Sequence, residues 1–372
     1  MIPPLDPAAL SPQAQKILSA SAPEKLQEMA ARGVVPGIRP GEIPSILLLL
    51  AGSERPAVRA TAQKTLTKLP EPILQGALSS DLPAKVIDRL VVSYADRVEV
   101  LEKLLAMPSV AAESIAELAG ICSETVAELV STNEERLLAH PRIIERLYMN
   151  RNTRMSTANR LVELAARNGI ALTGIAAWEE VLAAIKEELI PEPTPEPTPD
   201  DIAFKAAQEL AERLAAAEDE DTHEQLEDGE EELKKKFLPL YASVAQMTVT
   251  EKIRAAMLGS RELRMLLVRD RNKIVATAAV RSPLMQESEA ALIARNRNMA
   301  TEVLRIIGTT PELVKSYTVK KGLVENPKTP LMIAQRMVQH LREADLKQLA
   351  KSKNVTGPVK DAARRHLERR NS

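Results

Sequence analysis

Asn150-Arg-Asn-Thr-Arg-Met-Ser-Thr-Ala-Asn-Arg-Leu-Val162 lines up with Asn326-Pro-Lys-Thr-Pro-Leu-Met-Ile-Ala-Gln-Arg-Met-Val338 at an offset of 176 residues. Two further stretches follow in the same order. Leu82–Val92 matches Leu258–Val268 at 176, and Val126–Thr132 matches Val303–Thr309 at 177. One order and almost one offset imply an internal duplication of about 90 residues, the strongest signal in the chain.

A shorter period lies inside each copy. Leu267-Val-Arg-Asp-Arg-Asn272, Ile293-Ala-Arg-Asn-Arg-Asn298, Leu323-Val-Glu-Asn-Pro-Lys328 and Leu349-Ala-Lys-Ser-Lys-Asn354 recur at steps of 26, 30 and 26. Leu147–Asn152 belongs to the same set. Each block has an apolar pair, a polar turn and a new apolar-periodic run, which is how one helix ends and the next begins. The predicted unit is a pair of short helices. A single pair cannot bury its apolar stripe, whereas stacked pairs bury it continuously.

Composition agrees. The 372 residues are 45% hydrophobic, but only seven are aromatic and 13 are glycine. An aliphatic, Ala- and Leu-rich chain suits closely packed short helices and argues against β-rich and glycine-cradled nucleotide folds. The array resembles HEAT-like and leucine-rich-repeat-variant α-solenoids over about 50–170 and 250–370, carried by Leu323-Val-Glu-Asn-Pro-Lys-Thr-Pro-Leu331, Ala334 and Asp345–Val355. That resemblance implies a binding scaffold without chemistry of its own.

The expected organisation is all-α: an irregular Pro-rich arm and cap over 1–45 with short helical candidates around Ala14–Leu18 and Glu24–Ala31, a first repeat block over 46–190, a linker over 191–232 and a second block over 233–372. The linker opens with Pro191-Glu-Pro-Thr-Pro-Glu-Pro-Thr-Pro199, a semi-rigid spacer. It continues with a short helix from Phe204. It ends in Glu218–Glu232, a tract too acidic to bury apolar surface and predicted to be disordered.

The net charge of −1 conceals a segregation. Residues 1–186 carry 20 basic and 21 acidic side chains, residues 187–232 two and 18, and residues 251–372 25 and 12. Arg269, Arg271 and Lys273, then Arg295 and Arg297, then Lys320, Lys321 and Lys328, then Lys351 and Lys353 are read as equivalent turn positions. In stacked hairpins such positions form one edge. The predicted ridge ends in Arg364, Arg365, Arg369 and Arg370. It fits an acidic protein, nucleic-acid phosphates or an anionic surface. Only Tyr317 stands in this array to stack on bases, which argues against single-strand binding. The acidic tract can fold back on this ridge and screen it, or serve as a solvating spacer.

Motifs for chemistry are missing from the sequence. His140, His223, His340 and His366 are at least 26 residues apart, and no HExxH, CxxC, GxGxxG, P-loop or GxSxG pattern occurs. Cys122 stands alone, so no intrachain disulfide can form. Asn152, Asn272, Asn298, Asn326 and Asn354 are read as helix caps, with the left-handed turn conformation open to them at helix ends. No apolar run approaches the roughly 18 residues of a membrane span. The expectation is a cytoplasmic, non-enzymatic scaffold for protein partners, without cofactor or metal. The alternative is a binder of nucleic-acid backbone or another polyanion.

Overall fold

A computed structural model describes residues 3–186, 194–214, 221–225, 231–352 and 354–371. Among these are 24 α-helices, most of them seven to ten residues long. The chain is all-helical apart from one small ribbon. No helix among the described residues is long and apolar enough to cross a membrane. Two compact units result, one of residues 1–161 with 168–172, the other of 162–167 with 173–372.

In the first unit, the helix over Pro56–Thr67 packs on Ala84–Ser93, which packs on Ala112–Ala119, which packs on Arg142–Tyr148. A second series runs from Glu71–Leu78 through Val98–Leu105 to Glu124–Ser131. Helices therefore meet the helix after next as well as their chain neighbour, and Ala112–Ala119 reaches past two helices to Arg142–Tyr148. In the Pro-rich arm both helical candidates are helices. Helices Pro12–Leu18 and Glu24–Ala31 bury Ala14, Ile17, Ala30 and Ala31. Gly33 and Gly37 make the turns that follow, at φ of 80° and 76°, where a side chain would be strained.

The second unit repeats the scheme. Val249–Leu258 packs on Lys273–Val280, then Thr301–Thr309, then Leu331–Val338, then Gly357–Asn371, while Glu287–Arg295 packs on Tyr317–Glu325. Adding 176 to the helices at 84–93, 98–105, 112–119, 124–131 and 142–148 lands within two residues of those at 261–267, 273–280, 287–295, 301–309 and 317–325.

Two asparagines 176 residues apart make similar side-chain ties. Asn150 Nδ2 donates to Ala119 O and Cys122 O, at 2.9 and 3.0 Å. Asn326, its counterpart, donates to Ala294 O and Asn296 O, at 2.9 and 2.8 Å. Each Oδ1 accepts from the backbone N–H two residues on, at Asn152 and Lys328. Both asparagines are at most 4% exposed. They tie one turn to the preceding one and satisfy carbonyls that a helix end leaves open. The capping expectation is met at Asn272, which accepts from Ile274 N at 2.9 Å. The left-handed expectation is not met, because no described non-glycine residue has a positive φ.

Close packing sets other details. A Cβ on Gly308 would stand 2.4 Å from Ile333 Cγ2, so this position keeps helices 301–309 and 331–338 in tight approach. Arg264 and Glu289 form a bidentate pair inside the unit, with Nε–Oε1 3.0 Å and Nη2–Oε2 3.1 Å, at side-chain exposures of 4% and 0%. Arg264 also donates to Gly259 O, and Glu289 Oε2 accepts from Gln286 N.

The linker region holds the expected helix, which starts five residues earlier than Phe204. Helix Pro199–Arg213 opens with a capping box between Thr198 and Asp201 and buries Phe204, Ala207 and Ala211. The Arg254 guanidinium, itself fully buried, stands 5.5 Å from the Phe204 ring centroid. Residues 187–193, with the first two prolines of the run, lie outside the described residues. So do 215–220 and 226–230 of the acidic tract.

Glu289→Ala is expected to destabilise the protein by about 3–5 kcal/mol, because Arg264 is left buried and uncompensated. Asn326→Ala is expected to cost about 2 kcal/mol through orphaned carbonyls. Urea unfolding followed by circular dichroism measures both.

Candidate basic turn edge and its acidic ribbon

The turn over Val268–Asn272 joins helices Arg261–Leu267 and Lys273–Val280. Arg269 sits in it, and its aliphatic stem turns inward so that Nη1 donates to Met265 O at 2.8 Å. The remaining donors face a two-stranded antiparallel ribbon, β1 (His223–Gln225) and β2 (Glu231–Leu233), in the register His223↔Leu233, Glu224↔Glu232 and Gln225↔Glu231. Arg269 Nη2 donates to Asp221 Oδ2 at 2.7 Å and Nε to Glu231 Oε2 at 3.3 Å. Its side chain is 10% exposed. Asn296, one repeat on, donates to the same Glu231 carboxylate. Beside Arg269, Lys252 holds Asp270 at 3.0 Å, and Asp270 accepts from Asn272 N at 2.8 Å.

The acidic tract is therefore ordered where the structure describes it, contrary to the expectation of disorder. Low hydrophobicity argues against a segment folding by itself; it does not exclude carboxylates seated on a guanidinium, where charge-assisted hydrogen bonds are the strong ones. The ribbon itself is weak. Three-residue strands are marginal in water, and Glu224 directly faces Glu232. Its ordering rests on the cation beneath it and on Thr222, which is fully buried and whose carbonyl accepts from Lys234 N at 3.1 Å.

His223 lies against Arg269, with Nδ1 2.9 Å from Thr222 Oγ1. Burial and then the Arg269 charge pull its pKa from the ordinary 6.5 down to about 4, opposed by Asp221 and Glu231.

The other predicted positions divide. Arg271, Lys273, Arg295, Arg297, Lys328 and Lys351 are exposed. Lys273 opens its helix, and Arg295 and Lys351 close theirs, so these three sit at helix ends beside the turns. Lys320 and Lys321 do not share that placement: they belong to the body of helix Tyr317–Glu325. Lys321 is held by Asp345 at 2.7 Å, where Tyr317 also donates, and that pairing raises the lysine pKa and lowers that of Asp345. Arg364 and Arg365 lie on helix Gly357–Asn371, Arg364 in an exposed pair with Asp361 at 3.5 Å. Lys353 lies outside the described residues.

Two clefts open along the edge. One, of about 360 Å³, is lined by His223, Glu231, Arg269 and Asn298. The other, of about 600 Å³, is lined by Arg271, Lys273, Thr277, Thr301 and Glu302. Both include Asp270 and Ala300 in their walls, so they adjoin. Asp221, Glu231, His223 and Asn296 are the members that sequence reasoning missed; the one available signal was the opposite sign of the tract and the array.

Elsewhere, among the described residues no group of three or more His, Cys, Asp or Glu side chains is placed to hold a metal ion. Cys122 is buried, and burial pushes its thiol pKa up to about 11. No family model matches this chain, and no curated protein matches it.

In an NMR titration His223 is expected to change protonation near pH 4. Removing the Arg269 charge raises that midpoint towards 6.5, and Asp221→Asn lowers it. Between 4 and 6.5 the unfolded chain holds the proton and the docked ribbon does not. Docking is therefore complete above 6.5 and weakens as pH falls towards 4.

Proposed function

We propose that this chain is a non-enzymatic scaffold, an α-solenoid of helical hairpins in two duplicated blocks, that binds protein partners through the turn edge of its second unit. The packing of many helices on the helix after next, and the similar Asn150 and Asn326 ties, support the repeat reading. The observation that carries the binding reading is the row of exposed cations at Arg271, Lys273, Arg295 and Arg297, beside an Arg269 already engaged by polypeptide carboxylates. None of these four has a pairing partner among the described residues. An edge of this kind costs self-repulsion in the free protein and is relieved by an acidic partner.

The same row favours a second reading, a binder of nucleic-acid backbone or another polyanion. Salt separates the two. Four cations on phosphates give a slope of log K against log salt of about −3 to −4 with duplex DNA.

Full-length protein carrying Arg271→Glu, Lys273→Glu, Arg295→Glu and Arg297→Glu is expected to lose the proteins that the unaltered chain retains in affinity capture. An unchanged set of retained proteins overturns the scaffold reading at this edge. Duplex binding with the slope above, lost in the same variant, selects the polyanion reading.

A further inference from the structure

We infer that the groove along the turns at 268–273 and 296–303 is a receptor for a carboxylate-rich peptide segment of a partner protein, and that this chain's own ribbon occupies one end of it in cis. The inference rests on the scaffold reading above and names the partner chemistry and its control.

Three observations carry it. The first is the occupant. Asp221 and Glu231 reach Arg269 from 48 and 38 residues away, and Glu231 also takes the Asn296 amide. What the edge holds is a polypeptide presenting carboxylates from an extended backbone.

The second is the unfilled remainder. Beyond the ribbon the groove continues as the adjoining cleft of about 600 Å³, past exposed Arg271 and Lys273. Its floor carries Ala276, Ala300 and Val303. The cis segment uses Arg269 and brings no carboxylate to these two cations; the nearby charge on Lys273 is Glu302, which is paired with Arg305. A longer acidic segment with a small apolar side chain would match both and cover the floor.

The third is the weakness of the resident. A ribbon with three residues per strand and with Glu224 opposite Glu232 has little stability of its own. Both glutamates are exposed, so their repulsion works against the docked state and is relieved when the ribbon leaves. A trans peptide therefore competes with a strained occupant at high local concentration, which sets a threshold on binding.

Removing 200–232 entire would take away the buried face of helix Pro199–Arg213 as well, so point substitutions are the informative variants. The probe is a fluorescein-labelled synthetic peptide with the sequence of residues 218–233, titrated at low salt with the full-length protein and read by anisotropy. Asp221→Asn with Glu231→Gln empties the Arg269 site and is expected to tighten peptide binding at least about tenfold. Adding Arg269→Ala to that pair is expected to return affinity to the unaltered level or below. Glu224→Lys supplies a test of opposite sign that leaves the core untouched. It turns the facing pair attractive, strengthens the ribbon in cis and weakens trans binding several-fold, although it makes the protein more positive.

Equal affinity for the unaltered protein and the emptied variant overturns cis occupancy. Tighter binding by Glu224→Lys overturns it too, because bulk charge then governs. No peptide binding by either protein overturns the receptor, while protein capture that still depends on Arg271, Lys273, Arg295 and Arg297 leaves the scaffold reading standing. A 20-base-pair duplex that outcompetes the peptide on the emptied variant assigns the groove to polyanions instead.

Discussion

A helix of seven to ten residues is only about 10–15 Å long and is not stable by itself in water. Nearly every helix here is of that length, so each must find its dry side on other helices. In both units the surface comes from the chain neighbour and from the helix after next. Small side chains and the bare face of Gly308 bring the axes close. Asn150 and Asn326 then close carbonyls at helix ends that would otherwise be buried without a partner. The Arg264–Glu289 pair sets a similar condition, since neither charge is tolerable there without the other.

Packing of this kind consumes the aliphatic residues and leaves the turns to water. In the second unit Arg269, Arg271 and Arg297 lie in turns, with Lys273 and Arg295 at the adjoining helix ends. Acidic residues from a remote part of the chain settle there. The ribbon over 221–225 and 231–233 is seated on Arg269 and Asn296, with Thr222 buried beneath it, and burial lowers the pKa of His223.

Much of the architecture was legible before any coordinates. The offset of 176 holds for helix boundaries as well as for letters, and the 26–30 residue step marks real helix ends. Other particulars were not. Asn326 read as a cap and proved to be a tie to the turn before it, because a propensity says that an amide suits a helix end and not which carbonyl lies opposite. Lys320 and Lys321 read as turn residues, although their helix runs through them. The first helix of the N-terminal arm read as starting near Ala14, yet it starts at Pro12, which stands in the first turn, where a missing N–H costs nothing.

The acidic tract marks the boundary between the two kinds of information. Periodicity and composition are local, and they determined that this chain would be all-helical, built of short helices, aliphatic within, and charged in opposite senses along its length. Whether opposite charges meet is a matter of distance. Asp221 and Glu231 lie 48 and 38 residues from Arg269 along the chain, and only the folded turns bring them within hydrogen-bonding reach. The tertiary structure alone decided that the tract forms a ribbon, which cations it covers and which it leaves exposed, because those outcomes depend on geometry set by packing of the intervening helices.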